Sequence, residues 1–148
     1  MASVARLLRY VWAAPNTAVG LIAALAALTL GASAQVVDGV LELSGPGRHH
    51  IGLAGRWLGR CRFDAITLGH VVLAVDARAM RRWRQHERVH VRQCERWGPL
   101  FLPFYLGSSF WAWWRGGRAH YDNRFEREAY ALQAGITYRP DRRATRRK

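Results

Sequence analysis

Histidine, glutamate and histidine stand at fixed offsets in the run His86-Glu87-Arg88-Val89-His90. Residues four apart share one face of a helix, so both imidazoles can reach one metal ion. Glu87 then sits where it can take a proton from water polarised by that ion. The pattern, HExxH, is that of zinc-assisted hydrolysis, with a peptide bond as the expected target. The chain holds six histidines, and random placement produces such a run in roughly one of a hundred chains of this composition. The competing reading is a pair of satisfied core histidines with an accidental glutamate between them.

Helix signals surround the motif. Asp76 is a cap and Gly98-Pro99 a stop, which predicts a helix over 77–97. On a wheel of about 100° per residue, Ala79, Trp83, His86, His90, Gln93, Cys94 and Trp97 share one sector. Arg84, Arg88, Arg92 and Arg96 fall opposite and are expected to form a solvated stripe. Both histidines therefore face inward, where ligands can be held away from water. Catalytic zinc takes three protein ligands and keeps a fourth position open. The metzincin spacing does not supply the third, because Arg96 stands where its histidine belongs and Gln93 where its glycine belongs.

A second helix is predicted from near Asn123 to near Gly135. It contains Glu126-Arg127-Glu128-Ala129-Tyr130. This resembles the E-x-x-A-D pattern of the gluzincin metallopeptidases, with Tyr130 in place of the final Asp. The resemblance covers roughly residues 60–135. It implies Glu126 as third zinc ligand, or Glu128 if the register slips. It also implies a small sheet over the HExxH helix, whose edge strand aligns the substrate backbone; Ile66 to Leu73 is the candidate. The run from His86 to Gln93 is also similar to small bacterial membrane-linked HExxH proteins. Tyr130 departs from the family, whose Asp supports a histidine ligand. The local alternative for Glu126 is a capping box with Asn123. His120 is a further candidate, as a ligand or as a donor to the transition state, a role also open to Tyr130 or an arginine. His70 reads as a strand residue rather than a ligand.

The elements around these residues read as an α+β domain. A small antiparallel sheet would pack on the HExxH helix and the second ligand-bearing helix, beside an N-terminal hydrophobic helix or helical hairpin. Residues 1–34 form the hydrophobic segment, 35–138 the gluzincin-like domain, and 139–148 a basic tail expected to be disordered. Val36 to Leu43 is a hairpin turning at Asp38-Gly39. Phe63 to Val75 reads as one longer buried strand.

Residues 18–34 carry no charge and follow Arg6 and Arg9. They read as a retained membrane element, as a signal peptide cleaved after Ala32-Ser33-Ala34 and leading to secretion, or as a buried soluble helix. Pro15-Asn16-Thr17 reads as a break and cap, leaving 2–13 as an amphipathic interfacial helix. Residues 100–114 are again apolar, interrupted at Pro103 and Gly107. Were they to span a membrane, His90 and Glu126 would lie on opposite sides of it, so a re-entrant, interfacial or packed segment is expected. Arg6 and Arg9 favour a cytoplasmic N-terminus, while the basic domain favours staying inside; a hairpin that dips and returns satisfies both.

The net charge is +13, carried by arginine apart from Lys148. Arginine and alanine richness points to a GC-rich, bacterial genome. Such charge attracts anionic lipid or nucleic acid. Seven tryptophans favour the lipid surface, and no nucleic-acid motif is present. The rival to a zinc peptidase is thus a non-catalytic basic membrane-surface or nucleic-acid-binding protein, or a pseudo-enzyme with structural zinc. Cys61 and Cys94 provide neither a disulfide framework nor a Cys-type zinc site, though one bridge between them is open outside the cytoplasm.

Overall fold

The computed structural model describes residues 2–48 and 63–135. Helix α1 (Ala2–Thr29) leads into strands β1 (Ser33–Val37) and β2 (Val40–Ser44), then β3 (Ala65–Leu68) and β4 (Val71–Ala74). Helix α2 (Ala77–Trp97), a 3-10 turn (Gly98–Leu100), α3 (Phe101–Trp114) and α4 (Arg124–Gln133) complete it. The α+β class stands. The strand order is β1-β2-β4-β3, and the sheet is mixed rather than antiparallel throughout, because β2 and β4 run parallel.

The first hairpin turns where Asp38 (φ 48°) and Gly39 (φ 79°) both take the left-handed region, as a two-residue turn requires. The expected single strand over 63–75 is instead a second hairpin. It turns at Gly69-His70, with Leu68 opposite Val71. Gly69 has φ 65°, and a Cβ there would collide with the Thr17 backbone of α1. Only glycine admits both the turn and that approach.

Alternate residues of β2 and β4 face opposite ways and build two cores. Leu43 and Val71 pack on Ala24 of α1. Val40, Val72 and Ala74 pack on Ala79, Met80 and Val91 of α2. The sheet thus lies between α1 and α2. A third cluster joins Ala13 of α1, Cys94 of α2, Phe101 of α3 and Phe125 of α4. Within it burial pushes the Cys94 thiol up to about 12. Cys94 is a free cysteine, whereas Cys61, like the basic tail, lies outside the described residues.

Pro15 does not break α1; the helix continues through it. An internal proline forfeits a helical bond and costs roughly 3 kcal/mol. Tertiary contacts on its buried side offset that cost. Asn16, 3% exposed, donates to the Gly98 carbonyl at 2.6 Å rather than capping a helix. Thr17 Oγ1 accepts from the His70 amide at 3.1 Å. By length and composition α1 suffices to cross a membrane, with 22% of its most apolar window buried.

The arginine stripe also departs from expectation. Arg84 and Arg88 reach Glu42, 1% exposed in the sheet, at 2.8 and 3.0 Å. They neutralise a buried carboxylate that would otherwise be strongly destabilising. Arg92 and Arg96 are exposed, as the wheel predicts.

Helix α3 runs uninterrupted. Pro103 occupies its first turn, where the missing N–H has no helical partner. At 14 residues it is about 21 Å long, short of the roughly 30 Å of a bilayer core. It folds back onto α4, since Asn123 Nδ2 donates to the Tyr105 carbonyl at 3.0 Å and to Ser109 Oγ at 2.7 Å. Ser108 Oγ accepts from the Arg124 amide at 3.0 Å. The segment over 100–114 is therefore a helix docked on α4 along one stripe, with Phe101 and Ala112 buried and most of its remaining large apolar side chains exposed.

Because Asn16 joins α1 to the end of α2, Asn16→Leu strands a buried carbonyl and should lower stability by about 1–3 kcal/mol. Urea unfolding in mild detergent, followed by tryptophan fluorescence, measures it. A wild-type midpoint would mean that α1 is merely appended.

Candidate metal centre

Side chains of α2 and α4 converge where these helices pack. His86 and His90 project from one face of α2, and Glu126 meets them from the first turn of α4. They are 3%, 6% and 2% exposed. His86 Nε2 lies 3.1 Å from Glu126 Oε2, His90 Nε2 lies 3.3 Å from Glu126 Oε1, and the two Nε2 atoms are 3.2 Å apart. One ligand atom from each falls within 4.8 Å of the others.

Those spacings provide a test. With metal–ligand bonds of about 2.0–2.2 Å, a zinc tetrahedron has edges of roughly 3.3–3.6 Å. The separations of 3.1–3.3 Å, which on Glu126 run to two different oxygens, are hydrogen-bond lengths, a few tenths of an ångström short of that edge. The protonation pattern agrees. Gln93 Nε2 donates to the Phe125 carbonyl at 3.1 Å and to Glu128 Oε2 at 3.0 Å, which turns its Oε1 toward His90 Nδ1 at 2.8 Å. In neutral His90 the proton then sits on Nδ1, and the Nε2 lone pair faces the Glu126 carboxylate. Such facing groups in a buried space are satisfied by a proton on one nitrogen or by a bound cation. Histidine, histidine and carboxylate is a donor set zinc accepts.

The electrostatics follow. Burial works to raise the Glu126 carboxyl, but hydrogen bonds from His86, His90 and Tyr105 outweigh it and hold the group well below the usual carboxylate range. Burial likewise opposes the charge on His90, and Glu126 outweighs it, raising the imidazole. Tyr105 on α3 donates to Glu126 Oε1 at 2.6 Å, and its hydroxyl is raised by burial and by that carboxylate.

Glu87 is 5% exposed and turns toward β3, where Thr67 donates to its Oε2 at 2.7 Å. Burial raises its carboxyl above the usual range, against the pull of His90 and Thr67. A carboxylate so raised is a better proton acceptor near neutrality. Among the described residues β3, which covers part of the candidate strand Ile66 to Leu73, lies at an edge of the sheet.

His120 stands at the rim, its side chain 53% exposed and Nδ1 3.4 Å from Glu126 Oε1. Tyr130 OH is 3.5 Å from His120 Nε2. Glu128 is not among the converging groups; it accepts from Gln93 and lies 3.7 Å from Arg96. The capping reading of Glu126 fails too, since the Asn123 side chain caps α4 alone and Glu126 faces the histidines. His70 is elsewhere, stacked on Tyr10 at 3.9 Å and 3.2 Å from Glu95. Among the described residues, His86 Nδ1 is buried without a hydrogen bond. The Tyr130 ring lies 4.7 Å from the His86 ring, at the residue where the gluzincin pattern carries Asp.

Sequence reasoning missed Tyr105, Thr67 and the Gln93 relay. Only Gln93 left a signal, three residues after His90 and on the same helix face. Searches against family models, curated proteins and solved structures each found no match.

If these groups hold zinc, purified wild-type protein carries about one zinc per chain, and His90→Ala and Glu126→Ala lose it. Glu128→Ala retains it. Tyr105→Phe, which removes a donor to the ligand carboxylate, should weaken zinc binding by roughly 10-fold. Competition with a chromogenic chelator measures each. Equal affinity in wild type and Glu126→Ala would exclude this ligand set.

Proposed function

We propose that the chain is a zinc-dependent hydrolase of gluzincin-like type that cleaves a peptide bond beside a membrane. The observation that carries this is the buried triad of His86, His90 and Glu126, whose ligand atoms lie within 4.8 Å of one another, next to a glutamate held against β3.

His86 and His90 would hold zinc through Nε2 and Glu126 through its carboxylate. Zinc bound there supplies Lewis acidity, polarising a substrate carbonyl and making water more acidic. Glu87 accepts a proton from the attacking water and returns it to the leaving amine, so hydrolysis ends with the carboxyl restored to its starting state. Thr67 fixes the direction of Glu87. His120 and Tyr130 at the rim are the donors available to the developing charge on the carbonyl oxygen. The outer edge of β3, unpaired among the described residues, can accept an extended peptide by main-chain hydrogen bonds. Gln93 and Glu128 set the His90 tautomer, and Tyr105 orients Glu126.

The expected outcome for Glu87→Gln is unchanged zinc content with hydrolysis of a fluorogenic peptide pool reduced by about 10²–10⁴-fold. Chelation abolishes wild-type activity and added zinc restores it. Turnover by zinc-loaded Glu87→Gln at the wild-type rate would remove the proposed mechanism. Binding of polyanions alone, lost steeply with salt and indifferent to Glu87, would favour a non-catalytic basic surface protein.

A further inference from the structure

The exposed apolar surface is concentrated on two helices. On α1, Leu7, Leu8, Val11, Ile22 and Leu25 are all more than 60% exposed. On α3, Leu106, Phe110, Trp111, Trp113 and Trp114 are all more than 55% exposed. No charged residue lies within 10–34 or 100–114. A soluble monomer rarely leaves so many large side chains in water.

The opposite face of α1 bears on how a membrane would meet it. Tyr10 donates to the Gly39 carbonyl, Asn16 to the Gly98 carbonyl, and Gly20 is so close to Val71 that a Cβ would clash. Ala24 packs on Leu43. These contacts run from residue 10 to 24, about 21 Å of helix. Were α1 to stand upright across a bilayer, the turn at Gly69-His70 and the end of α2, with His70 and Glu95, would be drawn into hydrocarbon. Polar groups and turns do not tolerate that setting. An in-plane helix keeps them in water and gives only its outer face to lipid.

Helix α3 begins beside the middle of α1, where Phe101 and Ala13 share a core. Its inner stripe is Phe101, Tyr105, Ser108, Ser109 and Ala112, and its outer side is apolar. Arg9 lies on the inner face of α1, 3.8 Å from Glu95, while at the end of α3 Arg115 lies over the Trp111 ring at 5.8 Å. Arginine and tryptophan at such edges suit anionic headgroups, as does the +13 charge.

We infer that the outer faces of α1 and α3 form one lipid-contacting surface, seating the protein in the plane of a single anionic leaflet. The inference rests on the membrane setting proposed above and adds its geometry. Tyr105 reaches Glu126 from the inner face of α3 while Leu106 and Phe110 occupy its outer side. The candidate metal site then lies about one helix diameter, roughly 10 Å, from hydrocarbon. Its substrates are polypeptide segments at the bilayer surface.

The test uses full-length protein added to preformed sealed vesicles of phosphatidylcholine with or without phosphatidylglycerol. Wild type should float with the anionic vesicles. Ile22→Glu and Phe110→Glu should each reduce partitioning by at least 10-fold while keeping the wild-type circular dichroism and melting in detergent. Ala5→Cys and Ser33→Cys, in a Cys61→Ser background, place a thiol in the first turns of α1 and one just beyond its end. Both should react with an impermeant maleimide from outside, as an in-plane helix requires. Ser33→Cys reactive with Ala5→Cys protected, or the reverse, would establish a crossing helix and overturn the seating. Flotation unchanged in both glutamate variants would overturn the surface. A failure to float, with wild type dimeric and the variants monomeric, would assign these faces to a second copy of the chain.

Discussion

Two imidazole nitrogens and a carboxylate face one another in a buried space at about 3 Å, and much of the structure is arranged to keep them there. Each is costly to desolvate without a partner. Together they are satisfied by a proton or by a cation, and the relay from Glu128 through Gln93 places the His90 proton on the far nitrogen. That leaves the near nitrogen free to ligate. Tyr105 occupies one carboxylate oxygen and is itself held because Asn123, Ser108 and Ser109 tie α3 to α4.

The sheet and α1 serve the same arrangement from the other side. β3 provides Thr67 to hold Glu87, and β4 and β2 pack on α2 through Val72, Ala74 and Val40. α1 closes the opposite face of the sheet and clasps both the β3–β4 turn and the end of α2. A segment that composition alone presents as a leader or an anchor is thus also a layer of the fold. Its two faces serve different ends: one packs on protein, the other stays apolar and exposed.

What the sequence made legible was local. Asp76, Gly98 and the 3.6-residue period placed α2 and its inward histidines, and Asp38-Gly39 placed the first hairpin. Glu126 was reached through a resemblance in the second helix, and the structure sets it against His86 and His90. Where tertiary contacts overrule local preference, the reading failed. Pro15 looked like a break, but the Asn16 and Ala13 contacts outweigh its cost. The run over 63–75 looked like one strand because a β-branched apolar run does not reveal where it turns, and the turn at Gly69 is set by close approach to Thr17. The parallel pairing of β2 with β4 and the arrival of Tyr105 join residues far apart in the chain, which no periodicity reports. Arg84 and Arg88 read as solvated because Glu42, which recruits them, lies more than forty residues away.

The central claim is that His86, His90 and Glu126 hold one zinc ion with a position left open. X-ray absorption at the zinc edge of the purified protein tests it most directly. The account predicts a four-coordinate shell of nitrogen and oxygen at about 2.0–2.1 Å, with the outer-shell scattering of two imidazoles and no sulfur. A sulfur shell near about 2.3 Å, or fewer than two imidazoles, would place the metal elsewhere and contradict it.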